Sequence, residues 1–174
     1  MGLGTLDWVP ALDRRDLLAD PVAQALACMT DAVRVAPIDA GLADTAVFCE
    51  RYGVAPADSA NCVIVTARRG GETRYAAVMV LATTRADVNG VIRRHLDARK
   101  TSFAAQDDAV TRSGMEYGGI TPIGLPDDWP VLVDTRVAER PEVVIGSGIR
   151  GSKLALAGEA LARLKSAEVL SLAQ

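Results

Sequence analysis

The sequence predicts an α+β fold, a mixed β-sheet packed with helices. Three observations predict it. Two β-branched apolar runs, residues 62–67 and 73–81, are joined by a short turn and read as a hairpin. Segments of helical period, such as residues 88–96, lie beside further short strands, and the connections are brief. That mixture does not follow the regular strand–helix alternation of a doubly wound sheet. Hydrophobic residues make up 49% of the 174, and aromatics only 4%. One well-cored domain built from Ala, Val, Leu and Ile is therefore expected.

The elements follow in order. Asp20-Pro21 suits a helix start, because Asp caps free N–H groups and Pro fits the first helical position. Val22, Ala25, Leu26, Met29 and Val33 recur at helical spacing, so a helix is expected over residues 20–35, stopped by Pro37. A second helix is expected over residues 42–52, ending at Gly53. Residues 54–58 read as a turn, and residues 68–71 as the hairpin connection. Thr84 opens a further helix, with Asp87 three residues later as a short capping box. Val88, Val91, Ile92, His95 and Leu96 share one face of it. A short helix covers residues 106–112, with Gly114 as its stop. Strands are expected at residues 131–134, 142–145, 153–157 and 169–172, with a helix at 159–165. The first forty residues read as a helical extension, and residues 41–174 as the main domain.

Composition excludes several classes. The net charge of −3 argues against a protein that coats long duplex nucleic acid. Cys28, Cys49 and Cys62 are odd in number and scattered, which disfavours a disulfide framework or a zinc site. No metal and no cofactor is expected. No segment is long and apolar enough to span a membrane. Residues 1–10 lack the basic-then-apolar pattern of a signal peptide, so cytoplasmic residence is expected.

Two glycine-rich loops stand out. Gly118-Gly119-Ile120-Thr121-Pro122-Ile123-Gly124-Leu125 carries three glycines and a proline in eight residues. Such a loop takes a definite path and leaves N–H groups free for a ligand. Gly146-Ser147-Gly148-Ile149-Arg150-Gly151 follows an apolar strand and lacks the Lys-Ser/Thr ending of a phosphate-binding loop. The ordinary catalytic repertoire is thin. His95 is the only histidine and lies on an apolar helix face, where a hydrogen-bonded boundary role is the commoner one. Ser147 sits in no nucleophile elbow, and a loop hydroxyl bonding its own backbone is its plainer reading. Arg68, Arg69, Arg74, Arg93, Arg94, Arg99, Lys100, Arg150 and Lys153 are solvated surface or one face for a phosphate backbone.

From about residue 45 to residue 172 the chain resembles the YbaK/ProX family of aminoacyl-tRNA editing domains, also found inserted in bacterial prolyl-tRNA synthetases. Tyr52-Gly53-Val54 is similar to the family's element at the end of its helix, and the hairpin follows. Gly118-Gly119-Ile120-Thr121-Pro122-Ile123-Gly124 matches its G-G-x-x-P-x-G loop, and Val131-Leu132-Val133-Asp134 its next strand. The segment from Ile145 to Gly151 resembles its second glycine-rich stretch, with Lys153-Leu154 beginning the strand after it. The resemblance implies a partly barrel-like mixed sheet and hydrolysis of the ester joining a wrong amino acid to tRNA. It implies a pocket shaped by Gly118, Gly119, Ile120 and Pro122. Gly146, Ser147 and Gly148 would form the opposite wall, with Arg150 near a phosphate. The partner it implies is the acceptor end of aminoacyl-tRNA.

One departure bears on the chemistry. Where the family carries a lysine at the start of the first hairpin strand, this chain has Asn61, or Ala60 if the register shifts by one. Asn donates a hydrogen bond but brings no charge. Asn61 and Gly118 are the expected catalytic positions, with Lys100, Arg150 or Lys153 as substitute cations. The competing expectation is a binding module that keeps the fold without the activity. A third is a homodimer formed through the helix of residues 20–35.

Overall fold

The computed structural model describes residues 3–174. In chain order its elements are β1 (Val9–Pro10), α1 (Asp20–Leu26), β2 (Arg34–Pro37), α2 (Thr45–Tyr52), β3 (Ala60–Arg69), β4 (Glu72–Leu81), α3 (Arg93–His95), β5 (Lys100–Phe103), α4 (Gln106–Ser113), β6 (Val131–Asp134), α5 (Thr135–Ala138), β7 (Val143–Gly146), β8 (Ser152–Leu156), α6 (Gly158–Ala162) and β9 (Ala167–Leu170).

The long hairpin organises the larger sheet. β3 and β4 pair antiparallel from Ala60 opposite Leu81 to Arg69 opposite Glu72. Only Gly70 and Gly71 lie between them, with φ of +58° and +82°. Two positive φ values make the tight turn whose twist matches its strands, and glycine adopts them without strain. Arg68 and Arg69 thus belong to β3 rather than to the turn. The sheet runs β5-β3-β4-β6-β9 and is mixed. β5 and β4 flank β3 antiparallel, whereas β6 joins β4, and β9 joins β6, in parallel. The second sheet, β1-β2-β8-β7, is antiparallel throughout. A single parallel bridge, Ser59 to Val144, links the two sheets. The described residues therefore form two open sheets packed with helices, and no closed barrel.

Two of the expected helices differ. The helix of residues 20–35 is only α1, and residues 34–37 form β2. β8 is fully buried, and its backbone groups need partners on both sides. β2 supplies those on one side, and that demand overrides the helical period. Asp20 is the first helical residue rather than the cap, which is Ala19. The helix expected from Thr84 begins instead at Asp87, whose carboxylate accepts from Gly90 N–H at 3.1 Å and Val91 N–H at 3.0 Å. It caps a π-helical turn, Val88–Ile92, that leads into α3. The Thr84 hydroxyl donates backwards to Leu81 O at 3.0 Å.

The main core joins Val22, Leu26 and Val35 from the first forty residues to Ile64, Met79, Val133, Ile145 and Leu154 from the rest. A second cluster lies across the hairpin sheet, around Val65, Val78, Ile92 and Leu132. A third sits under α2, where Phe48 and Cys49 meet Val144 and Ala155.

Candidate active site

The two glycine-rich loops meet through their backbones. Gly148 N–H donates to Gly119 O at 2.7 Å, and Glu116 N–H to Gly148 O at 2.8 Å. A Cβ on Gly119 would lie 2.5 Å from Ile149 O, and one on Gly146 would lie 2.5 Å from Gly119 O. Real Cβ atoms do not approach that closely, so both positions hold glycine for backbone contact. Gly118 has φ +85°, and a Cβ there would lie 2.3 Å from Arg150 Nη1. The Arg150 guanidinium crosses this bare residue to donate to Tyr117 O and Ala40 O, each at 3.2 Å.

Between this assembly, the start of β3 and the entry to α2 lies a cavity of about 410 Å³. Gly118, Ile120, Gly146 and Asn61 all line it. Among the described residues no hydrogen bond within the protein takes the Gly118 or Ile120 N–H, whereas Gly119 N–H is spent on Glu116 O. The Thr45 hydroxyl donates to Asn61 Oδ1 at 2.5 Å, and the Asn61 amide nitrogen has no protein partner among the described residues. Ala60 lines the cavity too, but brings no functional group.

The cavity holds one ammonium and one carboxylate, those of Lys153 and Asp44. Lys153 is only 7% exposed, although its sequence setting allowed a solvated surface residue. Its Nζ donates to Ala43 O at 3.0 Å and lies 5.1 Å from the centre of the Phe48 ring. It forms no ion pair among the described residues, so its remaining N–H donors are available to a ligand. Its pKa is lowered to about 8, chiefly by burial; Cys49 and Asp44 oppose the shift and Arg150 adds to it. Asp44 precedes α2 at the cap position, but its side chain makes no capping bond. Cys62 also lines the cavity, and burial pushes its thiol up to about 12, so it remains an unreactive thiol near neutral pH.

The other expected site residues lie elsewhere. Pro122 lines a separate cavity with Met29 and Trp129. Ser147 is buried and bonded within its loop, accepting from Ser152 Oγ at 2.6 Å and donating to Ile149 O at 3.2 Å. Gly148 packs on α1, where a Cβ would lie 2.4 Å from the Ala19 Cβ. His95 pairs with Glu168 at 2.6 Å, away from the cavity. The basic residues do not form one face: Lys153 is inside, whereas Arg68, Arg99 and Lys100 cluster at the hairpin's closed end.

Comparison with known proteins gives the family and the fold. The aminoacyl-tRNA editing domain model matches residues 39–164, which include every residue that lines the cavity. Solved structures share the fold. The hypothetical protein APE2540 superposes with a TM-score of 0.75 at 19% identity, over 89% of this chain and all of that one. A protein described as a candidate trans-editing enzyme for prolyl tRNA synthetase gives 0.72 at 17% identity, over 95% and 98%. A scaffold from computational epitope grafting gives 0.75 at 19% identity, over 90% and 97%. The chain belongs to the aminoacyl-tRNA editing domain family, and deacylation of aminoacyl-tRNA is the activity of its class.

Proposed function

We propose that the cavity beside Gly118 and Lys153 is the deacylation site of this editing domain. One observation carries the reading: a buried, unpaired lysine shares the cavity with two unpartnered backbone N–H groups. A ground-state protein gains nothing from burying a charge without an ion-pair partner. A developing oxyanion would supply that partner.

An ester is already activated, so oriented donors and a water molecule suffice for its hydrolysis. Water adds to the carbonyl carbon, and the carbonyl π pair moves onto oxygen. Lys153 Nζ and the Gly118 and Ile120 N–H groups stabilise that charge. The tetrahedral intermediate collapses, the bond to the ribose oxygen breaks, and that oxygen takes up the proton released by water. The Asn61 amide nitrogen holds the water or the carbonyl. Asp44 receives the α-ammonium group of the amino acid. Gly119 and Gly146 set the loop height, and Arg150 fixes Tyr117 and Gly118. Pro122, Ser147 and Gly148 support the loops rather than touch the substrate. Lys153 thus supplies the charge that Asn61 lacks.

The test is deacylation of a panel of mischarged tRNAs by the native chain, Lys153→Met and Asn61→Ala. Turnover of at least one substrate above the uncatalysed rate, lost in Lys153→Met, is expected. A chain that binds tRNA but turns over none of the panel would be a binding module. Full activity in Lys153→Met would remove Lys153 from the site.

A further inference from the structure

Two exposed aromatic side chains flank the cavity mouth, and the deacylase reading leaves them unused. The chain has two Trp, three Tyr and two Phe. Five of these pack against protein. Phe48 meets Tyr52 at 5.4 Å between ring centres, Tyr75 stacks on Trp129 at 5.2 Å, and Trp8 lies under Arg34 and donates to Leu3 O. The remaining two, Phe103 and Tyr117, are 65% and 53% exposed. Both line the cavity. An exposed ring costs hydrophobic free energy that a packed ring would recover, so their common location points to a ligand.

The backbone of each is fixed in place. Phe103 stands on β5 opposite Val65 of β3. Tyr117 is held through its carbonyl by Arg150. Two rings on ordered backbone at a cavity rim suit a flat, apolar-faced ligand. Unpaired nucleobases are such ligands, and proteins that hold single-stranded RNA stack them on Phe and Tyr.

The charge beside them agrees. β5 is an edge strand and leads from Phe103 back to Lys100, about 10 Å of backbone away at the usual strand rise, with the two side chains on opposite faces of the strand. Lys100 lies opposite Arg68, and Arg99 N–H donates to Arg68 O at 2.8 Å. These three side chains are exposed and form no ion pair among the described residues, whereas neighbouring Arg69 is bound to Asp97. Glu72 is the one carboxylate in the same depression. A net-acidic chain thus carries a small basic cluster one strand length from its aromatic rim.

We propose that Phe103 and Tyr117 seat the terminal nucleobase of an RNA strand, and that Lys100, Arg99 and Arg68 take phosphates of the strand leading to it. This rests on the deacylase reading for the identity of the ligand, since an ester placed in the cavity would leave its nucleoside at the rim. The amino-acid end then lies inside and the base outside.

Binding can be separated from catalysis. The probe is a fluorescein-labelled single-stranded RNA ending in CCA, compared with the same strand whose last nucleotide lacks its base. Anisotropy titrations at low salt would use the native chain, Phe103→Ala/Tyr117→Ala and Lys100→Ala/Arg68→Ala. Both aromatic positions are exposed, so the folded state should survive, and thermal melts check this. Removing the base is expected to weaken native binding roughly tenfold and to leave the aromatic double variant unchanged. The basic double variant is expected to bind both strands more weakly, with a shallower salt dependence. Equal loss on base removal in the native and aromatic-variant proteins would overturn the stacking seat. An unchanged salt slope in Lys100→Ala/Arg68→Ala would overturn the phosphate track. Coupling to the base in a chain that deacylates nothing would sink the deacylase reading alone.

Discussion

Gly146 stands opposite Lys153 in the β7–β8 ladder, and the Gly119 and Ile120 carbonyls close over it. A Cβ at position 146 would sit 2.5 Å from Gly119 O and 2.8 Å from Ile120 O, and both are backbone atoms that cannot swing aside. Gly146 therefore sets the distance between the loop carrying the free N–H groups and the strand carrying the ammonium. Gly146→Ala should lift that loop. The expected result is a stability loss of about 1–3 kcal/mol, typical of overpacking, and a fall in deacylation of at least tenfold. Gly151→Ala is the control. Its Cβ would meet only Ile149 Cδ1 at 3.9 Å, so melting temperature and rate should stay near native.

Lys153→Met tests function against stability. Burial shifts the lysine from its ordinary 10.5 to about 8. At 1.36 kcal/mol per pKa unit, that corresponds to roughly 3 kcal/mol of cost for keeping the charge inside near neutral pH. Met fills a similar volume without charge. The variant should therefore melt higher than the native chain while losing deacylation. Loss of both stability and activity would instead mark Lys153 as structural.

The same lysine fixes the pH dependence. Below pH 8 both the folded and unfolded chains hold this proton, and the burial cost is constant. Between about 8 and 10.5 the unfolded chain still holds it and the folded chain does not. Stability contributed by this group therefore rises with pH across that window. Catalysis runs the other way, because the oxyanion needs the protonated form. Enzyme-dependent deacylation, corrected for the uncatalysed ester, should fall as pH passes about 8. A rate that climbs through the same range would make neutral Lys153 a general base instead. The groups facing it are Cys49 and Asp44 near α2 and Arg150 from its own loop. Cys49→Ala should move the midpoint only slightly, and downward, since Cys49 raises this pKa.

The hairpin, β6 and α4 were legible because local rules decide them: a double-glycine turn, a β-branched run and a glycine stop. β1, β2 and β5 were not, because short strands take their partners from distant chain. The Gly118 loop stood out through its glycine spacing and Asn61 through the family resemblance, and the fold brings both to one cavity. Lys153 was harder to place, although one signal was present. A single cation inside the run from Ser152 to Leu156 interrupts a strand buried on both faces. Phe103 and Tyr117 gave no signal, since exposure of an aromatic depends on what the fold leaves uncovered.

Substitution of His95 should separate the lone histidine from the chemistry. His95 Nε2 meets Glu168 at 2.6 Å, and both side chains are partly exposed, at 32% and 56%. Such a pair contributes less than about 1 kcal/mol. Neither residue lines the cavity. His95→Gln should leave the deacylation rate and its pH profile unchanged and lower the melting temperature by no more than about 2–4 °C. A tenfold loss of rate would place the histidine in the reaction after all.

Removal of residues 1–40 tests whether the N-terminal segment stands apart from the domain. Val22 and Val35 are fully buried and Leu26 nearly so, and all three belong to the same core as Ile145 and Leu154. β2 pairs with β8 through four residues, with Ala36 opposite Lys153. A chain beginning at residue 41 would expose one edge of β8 and the apolar surface under α1. It would also free Gly148, which packs on Ala19 and Val22. Burial of three aliphatic side chains alone is worth roughly 5–9 kcal/mol, comparable to the whole stability of an ordinary domain. The shortened chain should therefore show no cooperative melt and no deacylation, although the residues matched to the editing family begin at 39. A monomeric, folded and active product in size-exclusion and deacylation assays would establish residues 1–40 as a separable extension.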